Sequence, residues 1–180
     1  MTDLDEIEMI KHITFKGHDI IIIAHNWRYF TIYKDNIRYK TRETEMLNVT
    51  FERMIAVDDF VIVQFHRHSG IAEDNTKGQT LALFKLNEDM TNLDLYQMIQ
   101  IPNDTKYVTA CKLNGLIYVT YHTNNYISVS TIQKTYKERH EMYLITFQNY
   151  IRTDAFTNYA VYDERRFFYS KNEIDRKSVV

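Results

Sequence analysis

Proline and glycine are nearly missing from this chain, with one and four copies among 180 residues. Such scarcity argues against a β protein that turns on glycine, so any turns must come from other residues. Asn and Asp supply them, at Lys34-Asp35-Asn36, Asn87-Glu88-Asp89 and Asn124-Asn125. Both tolerate the left-handed conformation and can hydrogen-bond their own backbone. A compositional bias towards Ile, Lys, Asn and Tyr would enrich the same residues without any structural cause. One cysteine, Cys111, excludes an internal disulfide and fits a reducing compartment. The start, MTDLDEIEMIKH, lacks the build of a signal peptide. The longest apolar run, Ile20–Ala24, is too short to cross a bilayer. No charge of one sign dominates. The net charge is -2, which weighs mildly against gripping a polyanion over the whole surface. The expectation is an intracellular protein of cytoplasm or nucleus, not secreted and without a membrane segment.

What is abundant is aromatic, with 14 Tyr and 10 Phe. Such side chains favour the pleated surface of strands. Apolar residues at 44% and charged ones at 26% are ordinary for a globular domain.

A short phrase recurs: HDIIIIAH at His18–His25, DFVIVQFH at Asp59–His66 and GLIYVTYH at Gly115–His122. Each has a turn-like residue, an apolar run and a closing histidine. RRFFYSKN at Arg165–Asn172 is a fainter copy. Repetition of this kind marks one supersecondary unit used several times. The closing histidines are about 41 and 56 residues apart, within the range of antiparallel blade repeats. Each unit orders a strand, a turn, a strongly apolar strand, a loop and two more strands. This order resembles the four-stranded blade of a β-propeller, over roughly residues 13–172. The resemblance is architectural, with no Trp-Asp dipeptide and no paired glycines of the kelch kind. It implies an all-β, antiparallel, propeller-like fold, four-bladed or incomplete. A β-sandwich or barrel is the alternative.

Residues 1–180 read as a single domain. Residues 1–12 form an N-terminal helix or arm, with Leu4, Ile7 and Ile10 on one side. Residues 13–172 are the repeat-built β domain and 173–180 a charged tail. Lys134–Glu141 is polar and reads as one helical turn or a loop. Met142–Phe147 and Tyr150–Phe156 read as two strands.

The three histidines occupy one place in the repeat. Set around an axis, His25, His66 and His122 would form a ring able to hold a divalent metal or a small molecule. The plainer reading is a strand-end residue copied with its unit. Acid pairs at Asp58-Asp59, Glu88-Asp89 and Asp163-Glu164 sit where hairpin turns are expected, so turn geometry explains them better than acid–base catalysis. Cys111 lies in a strand, as a small buried hydrophobe would. No nucleophile elbow, phosphate loop or H-E-x-x-H occurs. The chain reads as no enzyme, and no cofactor is expected.

Binding residues are easier to name. A protein partner or larger assembly would meet loop and rim residues such as Trp27, Arg28, Arg67, His68 and Arg165. An RNA- or ribosome-associated alternative rests on Arg28, Tyr29, Arg38, Tyr39 and Arg42, where aromatics alternate with basic residues. Plain strand alternation gives that pattern too. The end, Arg176-Lys177-Ser178-Val179-Val180, has the form of a peptide that adds a strand to a PDZ-type groove. The expected role is a non-catalytic scaffold or adaptor, with a homodimer one way of completing the propeller.

Overall fold

The computed structural model describes residues 6–26, 29–39, 42–43, 49–67, 78–152, 156–161, 167–171 and 176–179. Side chains are described for 6–26, 29–39, 50–66 and 78–152. Every regular element among these residues is a β-strand. The strands form successive antiparallel meanders, each pairing with its neighbour in sequence.

The first meander holds β1 (Ile7–Phe15), β2 (His18–His25) and β3 (Tyr29–Lys34). Its fourth position is shared by β4 (Ile37–Arg38) and β5 (Arg42–Glu43), which pair with opposite ends of β3. The second holds β6 (Val49–Val57), β7 (Phe60–Arg67), β8 (Gln79–Leu86) and β9 (Leu93–Ile101). The third holds β10 (Tyr107–Leu113), β11 (Leu116–His122), β12 (Tyr126–Lys137) and β13 (His140–Arg152). Three shorter strands follow: β14 (Phe156–Val161), β15 (Phe167–Lys171) and β16 (Arg176–Val179). The chain divides into two compact units, residues 1–103 and 104–180.

The turns follow residue chemistry. Two-residue hairpins with both central residues at positive φ match the twist of the flanking strands. Asp35-Asn36 (φ 50° and 66°) and Asn114-Gly115 (φ 49° and 79°) are of this kind. The turn between β8 and β9 is held by Asn87, whose Oδ1 accepts the Thr91 and Asn92 amides at 2.8 and 3.0 Å.

In the first unit, alternation aims one face of each sheet into a common core. Ile20, Ile22 and Ala24 of β2 and Phe30 and Ile32 of β3 meet Val61, Val63, Phe65, Phe84 and Leu93. Phe30 joins the two sheets, with its ring 5.4 Å from Phe51 and 5.3 Å edge-on to Phe84. Ile62, Leu81 and Leu83, on the opposite face of the second sheet, are also buried. That explains why β7 and β8 read as continuous apolar runs.

Several expectations are corrected. Among the described residues, no N-terminal helix is seen. Ile7–Lys11 belongs to β1, where Met9, Ile13 and Phe15 pack on the core and Ile10 stays exposed. Pairing with β2 satisfies this backbone, and period two prevails over the helical reading. Lys134–Glu141 is neither helix nor loop. It is the tip of the β12–β13 hairpin, closing at Glu138-Arg139. The two strands expected around Gln148 are one, carrying a bulge. Arg176–Val179 is a strand paired with β15, so its backbone is already engaged within the chain.

Candidate functional site

The repeated histidines do hold equivalent places. Each lies at or near the end of the second strand of its meander. Their surroundings differ. His25 is fully buried, with Nε2 2.9 Å from Thr31 Oγ1 and its ring stacked on Tyr29 at 5.7 Å. Burial holds its pKa below the usual histidine value. The Asn26 side chain works against that shift and the Arg38 charge adds to it. His122 is buried against Tyr107, ring on ring at 6.2 Å. Burial lowers its pKa as well, with a smaller push from Lys106. Both imidazoles therefore favour the neutral form, and each has an aromatic partner from an adjacent strand.

His66 differs, with Nε2 2.6 Å from Glu52 Oε1. Gln64 Nε2 donates to Glu52 Oε2 at 2.9 Å and to Gln79 Oε1 at 2.8 Å. Gln79 Nε2 donates in turn to the Asn103 carbonyl at 3.2 Å. This polar ladder crosses the second sheet and pairs otherwise costly buried amides. Among the described residues, no group of three or more His, Cys, Asp or Glu side chains is arranged to hold a metal ion.

Asp59 is 2.6 Å from Lys85 Nζ, and its carbonyl accepts the Leu86 amide, while Asp58 sits in the turn at φ 52°. The pair anchors a hairpin. Cys111 is buried in β10 opposite Tyr118.

Of the expected partner-binding residues, Trp27, Arg28, His68 and Arg165 lie outside the described residues. Arg67 ends β7, with its side chain outside them too. In the RNA alternative, Tyr29 is packed on His25 and Arg38 is exposed on β4. Tyr39 is half-buried, its amide donating to the Ile32 carbonyl at 2.9 Å. Arg42 lies in β5, with its side chain outside the described residues.

Among the described residues, the third meander presents a long open surface. β12 and β13 continue well past the end of β11. Residues 133–141 are exposed on both faces, with Tyr136 at 64%. Lys134 pairs with Glu141 across this ribbon and sits 5.5 Å over the Tyr136 ring.

At the other end of the same hairpin, one face carries a cluster of aromatics. The register sets Tyr121 opposite Ser128, Ser128 opposite Tyr150 and Tyr126 opposite Arg152. A small residue between two tyrosines leaves a trough. Tyr126 packs edge-on against Tyr121 at 6.2 Å and Tyr150 at 6.0 Å. The cavity is about 590 Å³, lined by Tyr121, Asn125, Tyr126, Phe147, Tyr150 and Arg152. Burial raises the Tyr126 pKa, helped by Tyr121 and Asp104. The signal available beforehand was Tyr126-Ile127-Ser128, with Tyr at one end and Ser at the other of a same-face pair.

Fold and surface define an all-β protein of serial antiparallel meanders that presents one aromatic-rich sheet. Among the described residues, no helix is long and apolar enough to cross a membrane. No protein-family model matches the chain, and no curated protein matches its sequence.

Proposed function

We propose that the chain is a non-catalytic scaffold whose meanders serve as blades of a propeller-like framework, and that it docks a protein partner through the β12–β13 ribbon. One observation carries this reading. The ribbon extends beyond its sheet with both faces exposed and Tyr136 at its centre. A two-stranded ribbon is marginal in water by itself. Ordering it costs conformational entropy that burial does not offset here. A partner covering Tyr136 would supply the missing burial, and Tyr is among the residues enriched at interface hot spots. Glu141 lies opposite Tyr136 and pairs with Lys134, while Lys137, Arg139 and His140 outnumber Glu138 at the tip, which suits an acidic rim on the partner.

The test is affinity capture of the full chain against a Tyr136→Ala variant, with nuclease in both arms. A protein recovered by the native chain and lost from the variant supports the ribbon as the docking element. Equal recovery by both would remove it.

A further inference from the structure

We propose that the trough on the β10–β13 sheet binds an unpaired nucleotide, with its base against the tyrosines and its phosphate at Arg152. This goes beyond protein docking by the ribbon and stands or falls independently of it.

The argument begins with shape. Ser128 is only 1% exposed and separates Tyr121 from Tyr150 on one face. Its hydroxyl has no hydrogen-bond partner among the described residues. A cavity of about 590 Å³ lies within the range of roughly 300–1,000 Å³ that small ligands occupy. The walls are π-faces, and Phe147 and Tyr150 remain 57% and 51% exposed. Aromatic side chains gathered in a trough beside a cation can serve as stacking platforms, and every base has a face to offer them.

Charge then selects the ligand. Arg152 stands at the rim, with no ion-pair partner among the described residues. Its guanidinium matches the geometry of a phosphate. Asn125 adds an amide able to donate to and accept from a base edge. Asp104, whose charge is felt at Tyr126, already accepts the Asn124 amide at 3.2 Å. Residues 104–180 carry 11 basic and 8 acidic side chains, net +3. Residues 1–103 carry 11 and 16, net -5. The trough therefore lies on the positively charged unit. A cationic ligand would meet Arg152, and an aliphatic one would strand the tyrosine hydroxyls. A planar heterocycle bearing a phosphate fits both wall and rim.

The experiment uses the full chain and a short fluorescein-labelled single-stranded RNA of mixed sequence, read by fluorescence anisotropy. Binding is expected at low salt and should weaken as salt rises. Phe147→Ala and Tyr150→Ala should each lower affinity about tenfold, within the range of one lost base stack. Both residues are exposed, so the fold should survive, and far-ultraviolet circular dichroism checks it. Arg152→Gln should weaken binding and reduce the salt slope by about one. Tyr136→Ala, on the distal ribbon, should leave RNA affinity unchanged. Competition with AMP and UMP separates the two sources of the same chemistry. Displacement at matched concentration points to a free nucleotide, and resistance points to a strand. No binding by the native chain would overturn the proposal. So would equal binding of a duplex of the same sequence, or affinities unmoved by the aromatic substitutions.

Discussion

Phe147 and Tyr150 stand on the same face of β13 although they are three positions apart. In a regular strand, positions three apart point to opposite faces. The register explains the exception. Ser130 pairs with Phe147 and Ser128 with Tyr150, so Gln148 is the extra residue of a β-bulge. Bulges re-aim side chains and are common beside functional sites. Here the bulge gathers both rings around one trough.

Phe30 should be the costliest single truncation in the first unit. It is nearly fully buried and touches aromatic rings of the opposing sheet. Phe30→Ala is expected to lose about 3–5 kcal/mol, from lost burial and the cavity left behind. Urea unfolding should show a lower midpoint. A loss below about 1 kcal/mol would mean that the two sheets do not share this core.

The β12–β13 turn is built from poorly suited residues. Glu138 and Arg139 have φ of 49° and 70°, a conformation that suits Asn-Gly. Replacing them by Glu138→Asn and Arg139→Gly should stabilise the hairpin by about 1–2 kcal/mol, through relief of left-handed strain. Slower amide hydrogen exchange across Lys134–Tyr143 is the expected readout. Faster exchange would contradict the assigned turn.

Acid should weaken the fold through His25 and His122. Both have folded-state pKa values below the ordinary histidine value of about 6.5, chiefly from burial. Between the lowered folded value and about 6.5, the unfolded chain binds more protons. The stabilisation is thus complete above pH 6.5 and is lost as pH falls from there towards the folded values. Denaturant midpoints should drop over that window. The paired substitution His25→Gln with His122→Gln should flatten the slope. An unchanged slope would show that other groups cause it.

Glu52 should matter through Gln64 as well as His66. Its carboxylate accepts from the buried Gln64 amide at 2.9 Å and lies 2.6 Å from His66. Glu52→Ala is expected to cost about 1–3 kcal/mol, the penalty for under-satisfying a buried polar group. Glu52→Gln keeps an acceptor for Gln64 and should recover part of the loss. Thermal melts of the three proteins give the ranking.

Much of the framework was legible before any coordinates. Alternation and β-branched runs placed β2, β7 and β11, and the Asp35-Asn36 and Asn114-Gly115 turns lie where residue chemistry sets them. Local signals reach this far because hairpin turns depend on a few adjacent residues. Ile7–Lys11 was misread because its apolar spacing suits a helix as well as a strand. Pairing with β2 decided between them, and that partner lies beyond a local window.

The sequence by itself determined an all-β chain of repeated units, their turns, and the common position of His25, His66 and His122. Periodicity and turn propensity are local, so one chain suffices to read them. Only the tertiary structure decided what each histidine meets: Thr31 and Tyr29 for His25, Glu52 for His66 and Tyr107 for His122. It also decided that Tyr121, Tyr126, Phe147 and Tyr150 share one trough. The physical reason is register. A single bulged residue reverses the facing of everything beyond it, and register is a property of paired strands.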